Sequence, residues 1–299
     1  MVLVEKGALI GIDLGGTKVA VGRIVGTELE DVIHRFIPAN SKNPQDIIDV
    51  IIEVVNKLFN SNIIGIGIGI PGLVDRKKGI INDVQNIPSW EEVHLKNILE
   101  TYFNVPVYLD NDANCFALGE SRFGKFAGED DFVGLTLGTG MGGGIIKDGF
   151  LLPDAYGGSG EFGNIPYLDS IYEDYCSGKF FTDKYRIKGE ELTKAAENGD
   201  LFALKVFNEF GHHLGNAIKT IKMSVDPQKI IIGGSVAQAN EFFTTSMWKT
   251  ILEFPFPRAL QGFDVSFSDI KNIAVLGAAS LYFDSTKQRE TNSSVLKTN

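Results

Sequence analysis

Residues 8–24, ALIGIDLGGTKVAVGRI, read as an apolar strand, a glycine turn and a second strand, with one acid, Asp13, at the turn. Backbone bare of side chains lets N–H groups approach an anion, and a carboxylate beside them suits the anion's metal ion. The pattern recurs at residues 132–149, FVGLTLGTGMGGGIIKDG. Aligned, Gly11 falls on Gly134, Asp13 on Thr136, Leu14 on Leu137 and Gly15 on Gly138. Two unrelated hairpins can share turn chemistry, but a duplication explains both at once.

Neither segment follows the GxxxxGK[ST] pattern, because Lys18 comes directly after Thr17 and lies in a hairpin rather than opening a helix. The pair suits a nucleotide held between two facing turns. Asp13 would orient Mg²⁺ through water, and Thr17 and Thr139 would donate hydroxyls to phosphate oxygens. The bland alternative makes Asp13 and Thr17 ordinary turn residues.

The elements around the hairpins alternate. Asn43, Pro44 and an apolar face of Ile47, Ile48, Ile51, Val54, Val55 and Leu58 predict a helix. IIGIGIGI at 63–70 is a strand with one bare face, which something must approach closely, and Pro71-Gly72 turns the chain. A strand over 105–109 and a helix over 113–122 follow. Later, 204–225 is a long helix ended by Asp226-Pro227, and 229–232 a buried strand running into Gly233-Gly234. This is an α/β architecture with mixed sheets, each half opening with a hairpin rather than with a Rossmann strand–helix unit. From about Asp284 the chain is rich in Ser, Thr, Asn and Lys and is expected to be disordered at its end.

Composition narrows the function classes. A chain of 299 residues with 43% hydrophobic content buries a sizeable core, and its length favours two domains. Its apolar runs are far too short for a membrane span, and no secretory signal is seen, so the expected compartment is the cytoplasm. The net charge of −10 argues against a nucleic-acid partner. The two cysteines, Cys115 and Cys176, are expected as free thiols and support no thiolate zinc site.

Chemistry concentrates in two further places. LDNDAN at 109–114 ends a strand and starts a helix, where open α/β sheets hold their ligands. Asp112 fits either an N-cap or a general base, with the Asn111 amide able to bond the same alcohol. GGSGEFGNIPY at 157–167 adds Glu161, an acid among glycines, either a solvated loop residue or a grip on polyol hydroxyls. His212 and His213 are adjacent on a helix and do not converge on one metal.

Taken in order, GIDLGGTKVAVG, IGIPGLVD, NDAN, LGTGMGGG, GEFG and KIIIGGSV resemble the ROK family of sugar kinases and repressors over about residues 8–283. The resemblance implies duplicated actin-like ATPase (RNase H-like) domains around a central cleft. The implied domains are 1–109 with about 275–299, and 110–274. It implies ATP-dependent phosphorylation of a hexose at the 6-hydroxyl, glucose first, with fructose, mannose, allose and N-acetylhexosamines as alternatives. Asp112 matches the catalytic base. Gly72, Asn111 and Glu161 match sugar-binding positions, and Glu173 before DYCSG fits another. Asp13, Gly15, Gly16 and Thr17, with Lys18 beside them, match the first nucleotide-contacting segment. Gly138, Thr139 and Gly140 match the second, and Gly233 and Gly234 the adenosine position. Where the family carries a sugar- and zinc-binding histidine this chain has Asn164, and the cysteine-rich loop after it is missing, so no structural zinc is expected. A homodimer is expected. A sugar-responsive repressor needs a helix-turn-helix ahead of the first hairpin, and only seven residues precede Ala8, so that reading is disfavoured. An idle sugar sensor or an assembly protein would tolerate loss of Asp112, Asn111 and Glu161, which are all present.

Overall fold

In the computed structural model, which describes residues 7–295 apart from 77, 83, 85, 155 and 156, the first hairpin forms as its alternation dictates. Ala8–Leu14 pairs antiparallel with Lys18–Val25, Gly11 opposite Gly22 and Leu14 opposite Val19. Ile63–Ile70 lies parallel to Ala8–Leu14, and Val107–Asn111 parallel to Ile63–Ile70. Glu28–Phe36 completes a mixed five-stranded sheet. The second hairpin, Phe132–Leu137 with Met141–Lys147, repeats this arrangement: Lys229–Gly233 runs parallel to Phe132–Leu137, and Asp264–Phe267 parallel to Lys229–Gly233. It too belongs to a mixed five-stranded sheet. Hairpin, parallel strand, parallel strand is the same order twice.

The chain packs as two units. One comprises the described residues within 1–128, 149–159 and 270–299, the other 129–148 and 160–269. In the first, the helix Gln45–Leu58 buries the six apolar residues its periodicity selects, Ile47, Ile48, Ile51, Val54, Val55 and Leu58, against the sheet isoleucines. The glycine face of Ile63–Ile70 exists because the helix Ile273–Val295 lies on it. A Cβ on Gly67 would sit 1.8 Å from the Ala278 carbonyl oxygen, and one on Gly11 2.0 Å from that of Val275. The same helix crosses Asp112–Phe123 at Gly277 and Gly119, whose added Cβ atoms would meet the Cys115 and Ile273 carbonyl oxygens at 1.6 and 2.4 Å.

The end of the chain, residues 296–299, where disorder is expected, lies outside the described residues; ahead of it the helix continues through Val295, because its docked first turns nucleate it and each further residue adds a hydrogen bond at small cost. Asp284 is buried within it, Oδ1 accepting the Leu151 N–H at 3.4 Å. Burial pushes its carboxyl up to about 6, against that hydrogen bond and the Arg122 guanidinium. A raised acid favours the fold while protonated, so its contribution is full below the ordinary carboxylate range and lost as pH rises through about 6. Asp284→Asn should therefore flatten the stability profile between pH 4 and 7, by up to about 3 kcal/mol, in denaturant titrations across that range. Slopes are the quantity to compare, since exchanging the buried carboxyl for an amide also shifts stability by an amount that is the same at every pH. A profile parallel to that of the parent protein would refute it.

The second unit is held by aromatic packing. Phe180, Phe181, Phe207, Phe210 and Phe243 are fully buried, with Phe181 and Phe210 stacked at 5.1 Å. The helix Leu201–Val225 starts at Asp200, whose side chain accepts the Ala203 N–H at 2.8 Å, and stops at Asp226 in the left-handed conformation before Pro227. Gly211 and Gly215 let Asn240–Ile251 approach: added Cβ atoms would meet Ser246 Oγ at 2.1 Å and the Thr250 Cβ at 2.6 Å. Among the described residues no helix is long and apolar enough to cross a membrane.

Candidate active site

The first unit carries Asp13, Gly15, Gly16, Thr17, Lys18, Gly72, Asn111 and Asp112. The turn after Ala8–Leu14 closes through the Gly15 N–H donated to the Lys18 carbonyl at 2.8 Å. Gly16 has no room for a side chain, since a Cβ would come within 2.7 Å of Asn86 Cβ. Asp13 lies at the end of the strand, and burial pushes its carboxyl up to about 6, partly offset by His34. An enclosed carboxylate beside bare backbone has the character of a site that a dication completes, so Asp13 fits the expected Mg²⁺. Thr17 and Lys18 are exposed, and the Lys18 ammonium lies 4.7 Å over the Phe36 ring.

Val107–Asn111 delivers the acid-rich segment to the start of the helix Asp112–Phe123. Asn111, not Asp112, is the cap: its Oδ1 accepts the Asn114 N–H at 2.7 Å. Asp112 is the first helical residue, Oδ1 accepting the Ala113 N–H at 2.8 Å. Asp110 serves packing. It is buried, with Oδ1 accepting from Asn114 Nδ2 at 2.8 Å and Oδ2 2.8 Å from Arg76 Nε. Burial raises its carboxyl, while Arg76 and Asn114 oppose the shift. Arg76 Nη2 also lies 3.9 Å from Asp154, whose carboxylate accepts the Gly157 and Ser159 N–H groups. This cation behind the acidic segment was missed from sequence, where nothing in its spacing marks it. Gly72 adopts φ +114°, a left-handed bend that a side chain would strain.

The second unit carries the other residues. Its glycine turn closes through the Gly138 N–H donated to the Gly140 carbonyl at 3.0 Å. The Gly233-Gly234 corner packs directly on it: Gly233 pairs with Thr136, and Gly234, at φ +94°, would put a Cβ 2.3 Å from the Leu137 carbonyl oxygen. Beside these turns a cavity of about 480 Å³ is lined by Gly138, Thr139, Lys179, Lys188, Ser235 and Gln238 among others. Such a volume suits a ligand of nucleotide size.

Glu161 precedes a single helical turn that ends at Asn164, with Asn164 Nδ2 donating to Glu161 Oε2 at 2.8 Å. Burial raises the Glu161 carboxyl, Asn164 lowers it, and the Glu173 charge adds to the rise. Glu173 is tied to the glycine turn, Oε2 accepting the Met141 N–H at 3.0 Å and Oε1 accepting from Lys179 Nζ at 2.6 Å. Lys179 is the second residue that sequence reading missed. His213 packs among Tyr167, Tyr175 and Phe180, and His212 bonds Thr250 Oγ1 at 3.0 Å. Cys115 and Cys176 are free and buried, and burial pushes both thiols up. Among the described residues no three His, Cys, Asp or Glu side chains are placed to hold a metal ion.

Known proteins resemble this chain in sequence and fold. A glucokinase from Thermotoga maritima is 31% identical, with 91% of this chain and 96% of that protein aligned. A xylose repressor from Bacillus spizizenii is 27% identical over 94% of this chain and 78% of its own length. The crystal structure of a ROK family glucokinase from Streptomyces griseus, in complex with glucose and AMPPNP, superposes with a TM-score of 0.77 at 28% identity, covering 92% of this chain and 99% of that one. The fold is α/β with two mixed five-stranded sheets, consistent with the actin-like ATPase fold of ROK kinases. The ROK family profile matches residues 9–285. With nearly the whole chain aligned and the duplicated hairpins in place, this protein belongs to the ROK family.

Proposed function

We propose that the protein transfers the γ-phosphoryl group of ATP to the 6-hydroxyl of a hexose, glucose being the first candidate. The observation that carries this reading is the division of labour at the start of the helix Asp112–Phe123. Asn111 Oδ1 caps the helix, so the Asp112 carboxylate is not needed to close it. Placed at the end of a parallel strand, that carboxylate takes the hydroxyl proton as the sugar oxygen attacks phosphorus. The Asn111 amide nitrogen, Gly72, Glu161, Asn164 and Glu173 would hold sugar hydroxyls. Gly15, Gly16, Thr17, Gly138, Thr139 and Gly140 would present backbone N–H and hydroxyl donors to the phosphates, with Lys18 nearby. Gly233 and Gly234 would bound the adenosine. Asp13 would hold Mg²⁺ through water, and the ion would supply charge neutralisation on the phosphates.

The glucokinase in complex with glucose and AMPPNP supports the substrate classes, and the glucokinase from Thermotoga maritima supports the hexose. Asn164 is where sugar preference would differ, because its amide both accepts and donates and already bonds Glu161. The test is ADP release coupled to a spectroscopic assay across glucose, fructose, mannose, allose and N-acetylhexosamines. Sugar-dependent ADP release with the highest kcat/KM for glucose is expected. A preference for another hexose would replace glucose alone. Release of no ADP with any sugar, despite sugar binding, would overturn the kinase reading in favour of a binding protein, the class to which the xylose repressor belongs.

A further inference from the structure

The glycine turn Gly138–Gly140 offers neutral donors to a polyphosphate, and the chain as a whole is acidic. One cation is built against that turn. Gly178 donates its N–H to the Gly138 carbonyl at 2.7 Å, and a Cβ on Gly178 would stand 3.0 Å from that oxygen and 3.9 Å from Thr139 Cα. The next residue, Lys179, lines the same cavity as Gly138 and Thr139. Its ammonium is fixed by Glu173 Oε1 at 2.6 Å, and Glu173 Oε2 accepts the Met141 N–H at the far end of the turn. Lys188 and Lys194 also line the cavity, but they sit at the helix Gly189–Glu197 with Glu190 and Glu197 beside them.

We propose that Lys179 is a ligand of the nucleotide's terminal phosphates, held ready by Glu173 on the glycine turn. The inference rests on the nucleotide reading of the cavity and adds to it a residue that no glycine motif contains. An ammonium has three N–H donors, and the contact with Glu173 uses one. Ordering the long side chain before the ligand arrives removes much of the entropy that a free surface lysine would lose on binding. The Glu173 carboxylate keeps the pair near neutral until the phosphates arrive, and Met141 keeps the pair in register with the turn.

Nucleotide binding without sugar tests this. Titration calorimetry would compare ATP, ADP and AMP on the parent protein, Lys179→Met and Lys179→Arg, at low and moderate salt, with melting temperatures checked in parallel. Lys179→Met should weaken ATP and ADP by about tenfold or more, the effect of one charge-assisted contact, and reduce their salt dependence. AMP should change less than about twofold, and Lys179→Arg should recover most of the loss, since it keeps the charge. If ATP and AMP weaken together, Lys179 is a structural brace and the proposal fails. Unchanged ATP affinity also refutes it. A parent protein that binds no adenine nucleotide would overturn the nucleotide reading itself, an outcome distinct from either.

Discussion

Asp112→Asn is expected to lower kcat for sugar phosphorylation by about 10²- to 10⁴-fold, the range for removal of a positioned general base. The substitution keeps an Oδ1 able to accept the Ala113 N–H, now 2.8 Å away, and leaves the Asn111 cap untouched. Stability should therefore stay within about 0.5 kcal/mol, and the KM for sugar should change far less than kcat. The hydroxyl of a sugar is a weak acid, so its proton must leave as the bond to phosphorus forms, and an amide cannot accept it. Steady-state kinetics with matched melting curves give the answer. Turnover within tenfold of the parent would show that another group takes the proton. A parallel loss of folded protein would instead place Asp112 in the architecture of the helix.

Gly277→Ala is expected to destabilise the first unit by about 3 kcal/mol or more, against the roughly 1 kcal/mol gain that helix propensity alone would give. The opposing effects differ in origin. Alanine is the better helix former, but here its Cβ would fall 1.6 Å from the Cys115 carbonyl oxygen and 2.8 Å from the Gly119 nitrogen. Both are backbone atoms of the helix that begins at Asp112, and no rotamer change can clear them. The two helices must move apart, opening a void between Ile273–Val295 and Asp112–Phe123. Calorimetry should show Tm lowered by roughly 6 °C or more. A Tm that rises would mean that propensity outweighs the crossing.

The turns of the candidate site were readable because their geometry is local. The glycine-rich turns at 15–16 and 138–140 each close within a few residues, through the N–H groups of Gly15 and Gly138. The bare face of IIGIGIGI required a close neighbour, and the helix that fills it, Ile273–Val295, lies two hundred residues away in sequence. Local pattern showed that something approaches and could not show what. The same limit applied at LDNDAN, where Asp112 fitted either a cap or a general base until the strand exit fixed Asn111 over the Asn114 N–H. Arg76 and Lys179 went unread because an isolated cation acquires meaning only from what it faces: Asp110 and Asp154 for one, Glu173 for the other. The serine- and threonine-rich segment after Asp284 is helical as far as Val295, because composition describes a free chain whereas this segment continues a docked helix.

By itself the sequence determined that two hairpins with glycine turns recur in an alternating α/β chain, and that carboxylates stand at a strand exit and in a glycine loop. Those properties are set by spacing and residue type, which act over a few residues. Tertiary structure decided which carboxylates are held in ion pairs and which helix covers the glycine strand. It also brought Lys179 to the cavity wall beside Thr139. Burial and long-range pairing make those choices, since a charge or a glycine takes its energetic meaning from atoms that only folding brings near.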